Sequence, residues 1–145
     1  MTTNEQTVTS HGSEAASAEQ RLRELGIDLP APPEPFGNYM EAVQSGNLLF
    51  LSGMLPTESR RAGFVWRVGA RQYLGSLDKV TRIVRLGVSV ATSGDVRDQP
   101  KVADAASKLL EGVFGKDKNP SRLVYGVASL PLGAPVELEV IFEVR

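Results

Sequence analysis

"DQPKVADAASKLLEGVFG", residues 98–115, and "SRLVYGVASLPLGAPVELEVIFEVR", residues 121–145, together decide the fold class. In the first, Val102, Ala105, Ala106, Leu109, Leu110 and Val113 recur at helical spacing, which places one apolar stripe along a helix. Pro100 suits its first turn, Asp98 or Gln99 can cap it, and Gly115 can stop it. In the second, "RLVYGVASL" and "VELEVIFEVR" read as strands joined by "PLGAP". Val136, Leu138, Val140, Phe142 and Val144 fall on one face of the last strand, and Glu137, Glu139, Ile141, Glu143 and Arg145 on the other.

Working outward, "KVTRIVRLGVSVAT" (residues 79–92) is rich in β-branched residues. Its near-continuous apolar run from Leu86 to Val90 suggests a strand buried on both faces. "GFVWRVG" (residues 63–69) reads as a further strand, and "YMEAVQSGNLLFLSG" (residues 39–53) as two strands around a Ser45-Gly46-Asn47 turn. Before them, "SAEQRLRELG" sets Ser17 three residues ahead of Gln20 in a capping-box arrangement, brings Leu22 and Leu25 to one side and ends at Gly26. The proline-dense "IDLPAPPEPFGN" favours an extended connection. Residues 1–16 form a polar tail with little to bury, expected to be disordered, and residues 17–145 a single domain. The order is four strands, a helix and two strands, which gives an α+β fold with one mixed sheet covered on one face. The other face would keep apolar surface exposed, so self-association is expected.

Composition narrows the chemistry. Sixteen basic and seventeen acidic side chains leave a net charge of −1, and such a balance draws a protein neither to nucleic acid nor to an anionic membrane. The cluster Arg60, Arg61, Arg67 and Arg71 therefore reads as a solvated loop and edge strand. With no cysteine and one histidine, His11, thiolate chemistry, a metal site and a Ser-His relay all lack their residues. No basic apolar leader and no run of bilayer-spanning length is present, so a cytoplasmic location is expected.

Arg122 heads an otherwise apolar strand, where it can be a solvated strand-end charge or the hook of an anion site. Glu137 and Glu139 stand at alternate positions, equivalent by pattern. "GNYMEAVQSGNLLFLSGMLP", "DQPKVADAASKLLEGVFG" and "SRLVYGVASLPLGAPVELEVIFEV" together resemble the YjgF/Rid family of reactive intermediate deaminases, also described as endoribonuclease L-PSP, from about Gly26 to the end. The resemblance is strongest to its chorismate-mutase-like branch.

It implies a chorismate-mutase-like (bacillus-type) fold, a homotrimer with clefts between subunits, and hydrolysis of 2-imino acids or enamines to 2-oxo acids and ammonia without metal or cofactor. It further implies that Arg122 holds a substrate carboxylate, that Glu137 orients or activates water, and that Tyr39, Ser52 and Gly53 line the cleft. A guanidinium fork suits a carboxylate, and an electrophilic imine needs positioning and water more than a strong nucleophile. Tyr39 can equally pack at a strand start, and Ser52 can satisfy a local backbone group. The family's long helix between its third and fourth strands is missing or truncated here, with only "ARQYLGSLDKV" left of it. Val124 stands where family deaminases often carry cysteine, which makes the expected pocket more apolar. The alternative functions are a non-catalytic trimer that binds a small carboxylate and, less in keeping with the charge balance, an endoribonuclease.

Overall fold

A computed structural model describes residues 15–29, 37–55 and 65–145. The expected disorder of the tail, most of the proline-dense connection, and Arg60 and Arg61 fall outside these residues, Ala15 and Ala16 apart. The strands are β1 (Ala42–Ser45), β2 (Leu48–Met54), β3 (Val80–Ala91), β4 (Ser121–Val127) and β5 (Val136–Val144). The helices are α1 (Ala18–Glu24), α2 (Val65–Leu74) and α3 (Gln99–Phe114). The strands form one sheet in the order β1-β2-β5-β3-β4. All neighbours are antiparallel except β3 and β4, which run parallel with α3 between them in sequence.

Alternation in β5 sets the two sides of the sheet. Leu138, Val140, Phe142 and Val144 are buried, and the rings of Trp66 from α2, Phe114 from α3 and Phe142 meet with centroids 5.6–6.0 Å apart. Burying a side chain of this size contributes about 1.5–3 kcal/mol. Leu49 and Leu51 of β2 and Ile83, Leu86 and Val88 of β3 face the same helix layer.

Where a strand was expected over "GFVWRVG", Gly63 and Phe64 lie outside the described residues and the rest is helical, within Val65–Leu74. Trp66, Ala70 and Leu74 lie four residues apart and are all buried, so the helical repeat of core contacts overrides the local β-preference of Val-Trp-Arg-Val. Of the two expectations for this segment, a missing or a truncated helix, the described residues carry a short one: α2 is ten residues long and packs on β1 and β2, while α3 packs on β3 and β4. Among the described residues three helices contribute buried side chains to the core on this face. Arg67 is also not a solvated edge-strand charge: it is 1% exposed, with its guanidinium carbon 5.0 Å from the Trp66 ring centroid. Burial lowers its pKa to about 10.

Local signals close the elements. Ser17 caps α1 by accepting from the Gln20 N–H at 3.2 Å. Glu19 ties α1 to the turn before β3, since its N–H donates to Asp78 Oδ1 and its Oε1 accepts from the Leu77 N–H, both at 3.0 Å. Gly46 adopts φ 59° in the two-residue β1–β2 loop, the glycine-first arrangement that matches strand twist.

Among the described residues no helix covers the opposite face of the sheet. The Leu86–Val90 run is therefore buried on the helix side only: Leu86 and Val88 are sealed, whereas Gly87 and Ser89 remain partly exposed. Val43, Phe50, Leu123 and Tyr125, at 51%, 39%, 40% and 55% exposure, keep apolar surface on this open side. Val43 pairs with Phe50, and Phe50 with Ile141, so the patch runs across three strands.

Candidate functional site

The expected site residues fall into two groups. The first gathers where β2 meets β5. Leu51 pairs with Val140 and Met54 with Leu138, so β2 spends one extra residue at Ser52 and Gly53. Such a bulge turns the strand and interrupts its ladder, a device common beside active sites. The Ser52 N–H donates to the Glu41 carbonyl at 2.9 Å and its hydroxyl to the Met40 carbonyl at 2.5 Å. That pins the residue following Tyr39 to the bulge. Tyr39 itself is 46% exposed, and its N–H donates to the Gly37 carbonyl.

The Glu137 side chain lies directly over Gly53, where a Cβ would overlap its carboxylate. The missing side chain at Gly53 therefore makes room for this carboxylate. Glu137 pairs with Ser89 of β3, and Ser89 in turn with Tyr125 of β4, so a carboxylate, a hydroxyl and a phenol stand in one row on the open face. Tyr39, Ser52, Gly53 and Glu137 are thus brought to one corner.

Arg122 belongs to the second group. Its register partner on β3 is Leu86, which is wholly buried toward the helices, whereas Glu137 is level with Ser89 on the open face. The two residues are on opposite sides of the sheet and three positions apart along β3, about 10 Å at the usual strand rise. Arg122 points along the helix layer at the β4 edge. Its Nη1 donates to Asp104 Oδ1 at 2.7 Å and to Ser107 Oγ at 3.2 Å, both on α3. Within one chain, Arg122 and Glu137 do not line a common cleft. Val124, two residues on, packs against the core.

Asp104 and Ser107 escaped the sequence reading because they sit on the polar side of the α3 stripe, where charged residues are ordinary. Their spacing of three, on one helix side, facing a strand that begins with arginine, was the usable signal. Glu139, equivalent to Glu137 by strand alternation, is half-exposed, and its Oε2 lies 3.5 Å from Arg85 Nε. It also covers Gly87, where a Cβ would come within 3.0 Å of the same oxygen. Among the described residues no group of three or more His, Cys, Asp or Glu could hold a metal ion, and no helix is long and apolar enough to cross a membrane.

An α+β chain with one mixed sheet, helices on one face and a bulged β2 beside a β5 carboxylate defines the class, and residues 30–144 match the family described as Endoribonuclease L-PSP. The chain belongs to that family, the YjgF/Rid proteins. Among curated relatives, Protein TCP17 of Trypanosoma cruzi is 35% identical over 147 residues, covering 86% of this chain and 92% of the relative. The 2-iminobutanoate/2-iminopropanoate deaminase of Dermatophagoides farinae is 29% identical over 126 residues, covering 79% of this chain and 92% of the relative. A solved structure of the Agrobacterium tumefaciens protein Atu1372, described as of unknown function, superposes with a TM-score of 0.78 at 31% identity, covering 88% of this chain and 92% of that one.

Proposed function

We propose that this protein is a 2-imino acid or enamine deaminase that works at a cleft between its own copies, assembled as a homotrimer. The observation that carries the reading is the separation of Arg122 from the Tyr39–Ser52–Gly53–Glu137 corner. A substrate of a few carbon atoms cannot reach across a sheet, but the β4 edge of one copy can meet the β2–β5 corner of the next. The uncovered apolar patch around Val43, Phe50, Leu123 and Tyr125 gives association a driving force. A deaminase among the relatives supports the reaction class.

In this arrangement Arg122 holds the substrate carboxylate through N–H donors that its α3 partners leave unused. Glu137 accepts a proton from water as the water oxygen adds to the imine carbon. The resulting carbinolamine takes that proton on nitrogen, the C–N bond breaks with its electron pair on nitrogen, the hydroxyl gives its proton back to Glu137 as the C=O bond forms, and ammonia and a 2-oxo acid remain. No electron leaves or enters the balance. A net charge of −1 suits a small substrate better than RNA.

The test is ammonia release from a 2-imino acid generated in situ by an amino acid oxidase. Arg122→Ala and Glu137→Gln should each remove the acceleration, and co-assembly of the two inactive variants should restore part of it, because some clefts then receive both intact residues. No acceleration by the unmodified protein across a panel of imino acids would sink the enzyme reading. Failure of complementation would sink the shared cleft.

A further inference from the structure

We infer that Asp104 and Ser107 of α3 are positioning residues: they clamp Arg122 in one orientation and so present its Nε–Nη2 edge to the substrate carboxylate. This rests on the reading of Arg122 as the carboxylate anchor and names what holds that anchor still. Nη1 of Arg122 donates to Asp104 Oδ1 at 2.7 Å and to Ser107 Oγ at 3.2 Å, which uses both of its hydrogens. An arginine can grip a carboxylate with paired hydrogen bonds through Nη1 and Nη2 or through Nε and Nη2. The clamp closes the first way. The second edge lies on the side of the planar group away from Asp104 and Ser107, and it has no hydrogen bond among the described residues.

A clamp is only as stiff as the helix that carries it, and α3 is locked in place. Ala103, just before Asp104, and Leu110, one turn after Ser107, are both wholly buried, so the helix cannot turn about its axis without emptying part of the core. Asp104 and Ser107 stand three residues apart on one side of that helix, and their oxygens meet the same nitrogen. A free arginine side chain samples many rotamers and gives up that freedom when it takes a ligand. A clamped one has given it up on folding, so binding costs less. The charge of Asp104 works against the anchor, because it partly neutralises the guanidinium. At 57% exposure, however, water screens that charge, so the acceptor oxygen is what the anchor needs from this residue.

The experiment is calorimetric titration of the intact protein with 2-oxobutanoate at fixed ionic strength, in paired variants. Asp104→Ala and Asp104→Asn both remove the charge, but only asparagine keeps an oxygen that can accept from Nη1. Ser107→Ala loses the hydroxyl and Ser107→Thr keeps it. In each pair the variant that keeps the oxygen should bind about fivefold more tightly, which is about 1 kcal/mol and roughly half the rotamer freedom of an arginine. A merely structural role would shift the urea midpoint and leave each affinity ratio at one. Ratios of one in both pairs, with binding lost in Arg122→Ala, overturn the clamp and leave the anchor standing; a ratio of one in a single pair removes that residue from the clamp. Binding that survives Arg122→Ala, or no binding to the unmodified protein, overturns the anchor and this inference with it. Fivefold ratios without hydrolysis of any imino acid would uphold the clamp and sink the deaminase reading.

Discussion

Phe142 and Ile141 are neighbours in the chain and opposites in the fold. Phe142 is wholly buried among Trp66 and Phe114, beneath helices that this chain supplies. Ile141 lies on the open face, level with Phe50 of β2 and Arg85 of β3. One side of the sheet is thus finished by its own sequence and serves stability. The other is left unfinished, and it carries Glu137, Glu139, Ser89 and the bulge at Gly53. Strand alternation tells which residues share a side, but not which side the chain will cover.

The largest effect expected from this contrast is on the covered side. Phe142→Ala should cost about 3–5 kcal/mol of unfolding free energy, the range for emptying a buried aromatic site, as read by urea denaturation. A cost near 1 kcal/mol would show that the aromatic cluster is not the centre of the core. Next is the corner between the sides: a methyl group at Gly53 must displace the Glu137 carboxylate. Gly53→Ala should cost about 1–3 kcal/mol if the backbone yields. If the flexible side chain yields instead, the stability cost disappears and turnover falls. Either outcome ties Gly53 to Glu137, whereas a variant unchanged in both respects would separate them.

Smaller still is the open face. Phe50→Ala removes a ring already 39% exposed, so at dilute concentration it should cost about 1 kcal/mol or less. Its larger consequence should appear in sedimentation, as weaker association. Unchanged association would place the contact between copies elsewhere.

Much of this plan was legible in the residues. The β1–β2 hairpin, β3, α3, β4, β5 and the α1 cap were all signalled by period, turn residues or capping chemistry. The exception, α2, was misread because Val-Trp-Arg-Val leans toward a strand. The four-residue repeat Trp66, Ala70, Leu74 extends beyond the window that a short apolar run suggests. At the site, the family resemblance grouped Tyr39, Ser52, Gly53 and Glu137 with Arg122 in one cleft. Only the register of β4 on β3 could place Arg122 on the other side, because no local pattern states which residue lies level with Leu86. The α3 partners of Arg122 were invisible for a similar reason, since Asp104 and Ser107 are unremarkable on a helix until a strand is laid beside them.

The finest test uses two glutamates that alternation makes equivalent. Glu137 and Glu139 both lie on the open side of β5, yet their surroundings differ. Glu137 sits over Gly53 at the bulge, whereas Glu139 is drawn toward Arg85 and lies over Gly87. The Glu139 pair is long and about half-exposed on both partners, and exposed pairs contribute roughly 0–1 kcal/mol. Glu139→Gln keeps the size of the side chain, so it should move unfolding free energy by less than about 0.5 kcal/mol and leave imino acid hydrolysis intact. Glu137→Gln should likewise spare the fold and yet remove turnover, because an amide cannot take the proton from water. Equal loss of turnover in the two variants would mean that the face as a whole, through its negative charge, governs the reaction. Loss confined to Glu139→Gln would move the water-activating role two residues along the strand, to the glutamate over Gly87.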